Sequence, residues 1–364
     1  MKLGNRTQKL VSFLTGFLLL GSAVIPAQAA FTDLYVFGDS ISTTTNNAST
    51  GPTYYGKRFS NGRVWVEVLA ERQGLLYDSN KNWSYFGHTS TALVTHVSNF
   101  IAPTNADNAL FVIWVNCADL YYPAYYDGTS TNVWTNAINQ SQINHYNAVT
   151  NLYFAKGART LIMPNAVDIS TIPLFNASGN ASFIHLRCLD YNVAFSNTMN
   201  RIRSSCPDLT LYAPDFFALL TDVLAHPTNY SVTNALYEGR SIGAMQDSAL
   251  SNKTTNGPGT NHIFWDVKDP SAKVHAWMAN NAQQLISPAQ INQLVMLNGS
   301  NRLDLANVPI GQNGMVLGCT NLAMPSWKTN ATFAGTNAAQ LVYVPASGSM
   351  WYYRLRYLYS WTWP

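Results

Sequence analysis

Charge is scarce in this chain: Asp, Glu, Lys and Arg make up 11% of 364 residues, as 21 basic and 18 acidic side chains. Three of the 21 basic residues, Lys2, Arg6 and Lys9, sit in the first ten positions, so a chain without that segment balances 18 against 18. Near-neutrality removes the electrostatic basis for binding nucleic acid or an anionic membrane surface. Cysteine is equally sparse. Cys117, Cys188, Cys206 and Cys319 are spaced for neither a zinc site nor a dense disulfide framework. Cys188 and Cys206 stand 18 positions apart with an expected helix between them, and at about 1.5 Å per residue that sets them roughly 27 Å apart, too far for a bridge. No internal repeat, low-complexity tract, phosphate-cradling glycine loop or metal-ligand cluster is present, so no cofactor and no metal are expected. Beyond residue 29 no apolar run is long enough to cross a bilayer, which leaves no transmembrane segment in the remainder.

What is present begins with a leader. Residues 1–29 combine a basic start, an apolar stretch from Leu10 to Ile25 and the small-residue site Ala27-Gln28-Ala29. That is the pattern of a secretory signal peptide. The apolar stretch is broken by Ser12, Thr15, Gly16, Gly21 and Ser22, which argues against a retained anchor, and no cysteine follows the cleavage site for lipid attachment. The expected location is secreted, periplasmic or at the cell surface.

From residue 30 to about 286, buried-type strands alternate with helical periodicity. Ala109–Val115 and Thr160–Met163 are continuous apolar runs, the signature of parallel strands covered on both faces. Val64–Gln73, Ile138–Phe154, Leu189–Arg203, Phe216–Leu224 and Ala272–Ile286 have helical spacing. The alternation predicts a layered parallel α/β domain. Ser287-Pro288 ends it. Over 287–364 the period becomes two, in short runs at Leu294–Leu297, Arg302–Leu305, Met315–Leu317, Ala339–Val344 and Met350–Leu355, which predicts a small all-β, sandwich-like domain.

The chemistry is expected at the end of the first strand. Leu34-Tyr35-Val36-Phe37 is an apolar β-type run, and Gly38-Asp39 breaks it, leaving Ser40 at the carboxyl edge of the sheet. A serine there acts as a nucleophile if a base takes its proton and donors receive the oxyanion. Read blandly, Gly-Asp-Ser is only a turn.

Phe37-Gly38-Asp39-Ser40-Ile41-Ser42 resembles the nucleophile block of the GDSL (SGNH) hydrolases, and the likeness continues through Arg58–Trp65, Val112-Ile113-Trp114 and Phe264-Trp265-Asp266. The resemblance implies a three-layer, flavodoxin-like α/β sandwich and ester hydrolysis by a serine. It implies Ser40 as nucleophile, with its own N–H and that of Gly87 as oxyanion donors, and Asp266 as the carboxylate that orients the base. Two positions depart. The family's asparagine donor aligns with Ala118. Asn116 stands two residues earlier, and residues two apart in an extended segment share a face, so Asn116 is the candidate third donor. The family's histidine base aligns with Asp269. A carboxylate, ordinarily near 4 against about 6.5 for imidazole, serves as base only if burial and Asp266 raise it. His88, His262 and His275 are alternative bases, each with a structural or surface role as the plainer reading. Three functions follow: an exported esterase- or lipase-like hydrolase acting on an acyl ester of a lipid or carbohydrate, a catalytically impaired derivative that binds lipid or glycan, or a scaffold or interaction protein of the cell exterior.

Overall fold

The computed structural model describes residues 31–49, 51–345 and 352–357. The leader, and Met350 and Trp351 of the last expected strand, lie outside the described residues.

The chain opens with β1 (Leu34–Gly38), followed by α1 (Trp65–Arg72), α2 (Ser90–Asn99) and β2 (Leu110–Trp114). Next come α3 (Cys117–Tyr126), α4 (Thr131–Phe154), β3 (Thr160–Ile162), α5 (Ala181–Ser205), β4 (Thr210–Tyr212) and α6 (Phe216–Ala225). A two-residue hairpin, β5 (Leu236–Tyr237) with β6 (Arg240–Ser241), leads into α7 (Ala272–Ile286). β1 to β4 form one parallel sheet in sequential order, with Val36 beside Val112 and Leu161 beside Leu211. Outside β1 runs a further extended segment: Trp83 N–H donates to Val36 O at 2.8 Å and Tyr85 N–H to Gly38 O at 3.4 Å. β1 therefore lies between two neighbours, and all five of its residues are buried.

Burial of every residue in β1 and β2 means that both faces are covered, as their unbroken apolar runs require. Tyr35 and Phe37, two apart and on one face, pack against Trp83, Phe100 and Phe111, Phe100 meeting both edge-on; Phe37 and Trp83 have ring centroids 5.1 Å apart. A second knot, Trp65, Trp114 and Phe216, has centroids 5.0–5.8 Å apart. α1 packs on α7, and α4 packs between α2 and α5, giving the layered α/β architecture. Cys188 lies within α5 and Cys206 caps its end, both as free thiols.

After α7 come β7 (Gln290–Leu297), β8 (Ser300–Ala306), β9 (Asn313–Cys319), β10 (Lys328–Ala334), β11 (Gln340–Pro345) and β12 (Tyr352–Tyr357). They form two antiparallel three-stranded sheets, β10-β9-β12 and β11-β8-β7. Leu303, Leu305, Val342 and Val344 from one sheet and Val316 from the other share a small apolar cluster, separate from the α/β core. The junction with the helical layer is polar. Asn280 Nδ2 donates to Ile310 O (3.4 Å), and Gln284 Nε2 and Gln283 Nε2 both donate to Asn307 O (3.0 and 3.4 Å).

Candidate active site

Ser40 begins a 3₁₀ turn (Ser40–Ser42) directly after β1. Asp39 caps that turn, accepting the Ile41 N–H at 3.2 Å, and its other oxygen accepts the Cys117 N–H at 3.3 Å. One buried carboxyl thus ties the serine turn to the start of α3. Burial pushes Asp39 up to about 6. A Cβ on Gly38 would stand 2.6 Å from Ser42 Cβ, so the turn can fold back this tightly only on glycine.

Ser40 Oγ donates to Asp269 Oδ1 at 3.0 Å across 229 residues of chain. Asp269 stands in a turn closed by Asp266, whose Oδ1 accepts the N–H groups of Lys268 (2.8 Å) and Asp269 (2.9 Å). Tyr54 O–H donates to Asp266 Oδ2 at 3.0 Å. Asp266 therefore fixes the turn that carries Asp269 through its backbone, and among the described residues it makes no side-chain bond to the Asp269 carboxyl. The Arg58–Trp65 block secures the same turn from outside. Ser60 Oγ donates to Pro270 O, Asn61 Oδ1 accepts the Ala272 N–H, and Trp65 N–H donates to His275 Nδ1.

Asp269 is 1% exposed, and burial together with the neighbouring Asp266 charge holds it well above the ordinary carboxylate range. Burial also raises Asp266, against the pull of the Lys268 and Asp269 N–H groups and the Tyr54 hydroxyl. The serine thus faces a carboxyl moved toward neutrality, the direction that makes a carboxylate a better general base.

Ser40 opens on a cavity of about 350 Å³, lined by Asp39, Phe86, Gly87, Cys117, Ala118 and Lys268 and walled by Tyr121, Tyr122, Tyr125 and Tyr126 of α3. Gly87 has φ +78°, a conformation that favours glycine, and among the described residues its N–H donates to no protein acceptor. Asn116 is placed differently from the alternation argument. The helix starts one residue later, so Asn116 is the N-cap of α3, buried, with its Oδ1 against the Cys117 thiol at 3.6 Å. Positions 116 and 118 do not share a face once the chain turns helical, and Ala118 is the one that lines the cavity.

Among the described residues no histidine lines it. His88 bonds Gly38 O (2.7 Å) and His96 Nδ1 (3.0 Å), and burial lowers it to about 4. His262 Nε2 pairs with Asp247 at 3.0 Å. His275 is buried beneath α1 and lowered to about 3. Sequence reasoning missed Tyr54, Lys268 and the tyrosine wall. The repeated pair Tyr121-Tyr122 and Tyr125-Tyr126, four apart, is the signal that one helix face carries them. Among the described residues no group of three or more His, Cys, Asp or Glu is arranged to hold a metal ion, and no helix is long and apolar enough to cross a membrane.

A family model for GDSL-like lipase/acylhydrolase matches residues 34–282. A GDSL esterase/lipase of Arabidopsis thaliana is 28% identical over 143 residues, 36% of this chain and 40% of that protein. An acetylesterase of Thermothelomyces thermophilus is 26% identical over 239 residues, 56% of this chain and 76% of that one. Among solved structures, Axe2, an acetylxylan esterase of Geobacillus stearothermophilus, aligns with 71% of this chain and 97% of its own at a TM-score of 0.41 and 14% identity. The family match spans most of the α/β portion and both carboxyl-edge loops, and the chain belongs to the GDSL-like lipase/acylhydrolase family.

Proposed function

We propose that this protein is an exported serine ester hydrolase whose base is a carboxylate, acting on an acyl ester of a lipid or glycan. The observation that carries the reading is the 3.0 Å bond from Ser40 Oγ to Asp269 Oδ1 at a cavity from which every histidine is absent. Ser40 Oγ attacks the ester carbonyl while its proton passes to Asp269. The oxyanion forms beside the N–H groups of Ser40 and Gly87. Asp269 returns the proton to the leaving alkoxide, and a water then attacks the acyl-serine with Asp269 again as base. The resemblance of residues 1–29 to a secretory signal supports export. The tyrosine wall of α3 supports a substrate with a flat or apolar face.

A fluorophosphonate probe tests the reading. It should label the protein at Ser40, located by peptide mass spectrometry, and Ser40→Ala should abolish both labelling and hydrolysis of p-nitrophenyl acetate. A folded protein that is neither labelled nor active would be a binding derivative of the family instead.

A further inference from the structure

Among the described residues, Lys268 holds the only basic side chain lining the Ser40 cavity. Its ammonium stands over aromatic rings that line the same space: 4.5 Å from the Phe86 centroid, 5.7 Å from Tyr125 and 5.8 Å from Tyr121. Among the described residues it forms no ion pair within 4.0 Å. Rings that attract a cation through their faces also restrict where a long side chain can go, so this charge is held in place in the cavity that Ser40 lines.

The site needs such a charge. Asp39, Asp266 and Asp269 are all buried around the serine. An oxyanion forming there meets carboxylates where a low-dielectric pocket amplifies the repulsion. The Cys117 thiol and Tyr121 hydroxyl are pushed up by burial and remain neutral. The cavity wall at position 118 is an alanine, with no donor. Lys268 neighbours the base Asp269 in sequence and reaches the ring of Phe86, which adjoins Gly87.

We infer that Lys268 is a catalytic residue whose ammonium receives the oxyanion, in the role left open by Ala118. The inference rests on the reading of Ser40 as nucleophile. As the Ser40 Oγ–carbon bond forms, the carbonyl π pair moves onto oxygen and the serine proton moves to Asp269. Lys268 keeps its three protons and gives a charge-assisted hydrogen bond.

The test is Lys268→Met, with kcat and KM for p-nitrophenyl acetate followed from pH 5 to 9. The plateau kcat should fall by about 10²–10³, the loss typical of an oxyanion donor, with KM nearly unchanged. Adding Ala118→Asn should recover at least about tenfold of that loss. If Lys268 merely offsets the carboxylate charge, Lys268→Met will move the profile to higher pH and leave the plateau intact, which overturns the inference. Failure of Ala118→Asn to recover any of a lost plateau overturns it as well. Should circular dichroism show that the Met variant is unfolded, Lys268→Arg must outperform Lys268→Gln, and equality of those two counts against the role. The underlying reading fails separately, when the unmodified protein itself is inactive and unlabelled at Ser40.

Discussion

Replacing Asp269 by asparagine should separate what this residue does for chemistry from what it does for stability, because the two move in opposite directions. The amide keeps an oxygen that can accept the Ser40 hydroxyl but cannot take its proton. Turnover of a short acyl ester should therefore fall by about 10²–10⁴, the usual contribution of a positioned general base. The same change removes a buried carboxyl that burial and Asp266 hold well above its ordinary value. A raised value means that the native state binds the proton more tightly than the unfolded chain, whose carboxyl titrates near 3.9. The stability this carboxyl confers is present below that pH and is lost as pH rises through the raised value. Asp269→Asn should accordingly be nearly neutral at pH 4–5 and stabilising at pH 8. The gain should be on the order of 1–3 kcal/mol, the scale of a buried polar group relieved of an unfavourable environment. Urea denaturation at pH 5 and pH 8, beside initial rates on p-nitrophenyl acetate, reads both effects. A variant within tenfold of full activity, or one less stable at pH 8 than at pH 5 relative to the parent, would refute the reasoning.

Activity of the parent should rise with pH through the raised Asp269 value and then level off, since only the carboxylate accepts the serine proton; a rate that falls between pH 6 and 8 would contradict this. Asp269→His should exceed Asp269→Asn in kcat by about 10²–10⁴ at pH 7, because an imidazole restores a base beside Ser40, and equal rates would count against that position as the base. His88→Ala and His262→Ala should leave kcat per folded molecule within a few-fold, a point settled by active-site titration with the phosphonate. His275 is held neutral to about pH 3, so stability should drop by on the order of 3 kcal/mol between pH 7 and 4. His275→Gln, which offers the Trp65 N–H an acceptor without a basic nitrogen, should flatten that acid limb. Limited proteolysis should cut between residues 286 and 293 and leave the larger fragment folded, and random cleavage throughout 34–282 would exclude separable parts.

Much of this architecture is legible from residue pattern. α7 coincides with its periodic segment, and β2 and β3 lie within their apolar runs because strands buried on both faces need uninterrupted hydrocarbon. α5 starts eight residues before the expected segment, its first turns mixing buried Ile184 and Cys188 with exposed Ser182 and Leu186. Beyond the short β5–β6 hairpin, three elements escape. α2 is rich in Ser and Thr, α3 carries Pro123 and four tyrosines, and β10 is an edge strand of mainly polar or half-buried residues. In each, tertiary packing outweighs a weak local signal. In the site, the meeting of Ser40 and Asp269 follows from the order of the family blocks. The Tyr54–Asp266 bond and the ring cage of Lys268 do not, because they join segments with no periodic relation to one another.

The seam between α7 and the β layers has a consequence for how such a chain can change over generations. Were that junction hydrocarbon, losing the C-terminal strands would leave an adhesive scar on the α/β body. Here a break would return three amide groups and two carbonyls to water, which bonds them nearly as well, at a net cost of about 0.5–1.5 kcal/mol for each bond surrendered. A body that tolerates an open edge on that side can trade its appendage for another, or shed it, without precipitating. The amides along α7 make the appendage exchangeable, a part that selection can replace without rebuilding the reactive end of the sheet.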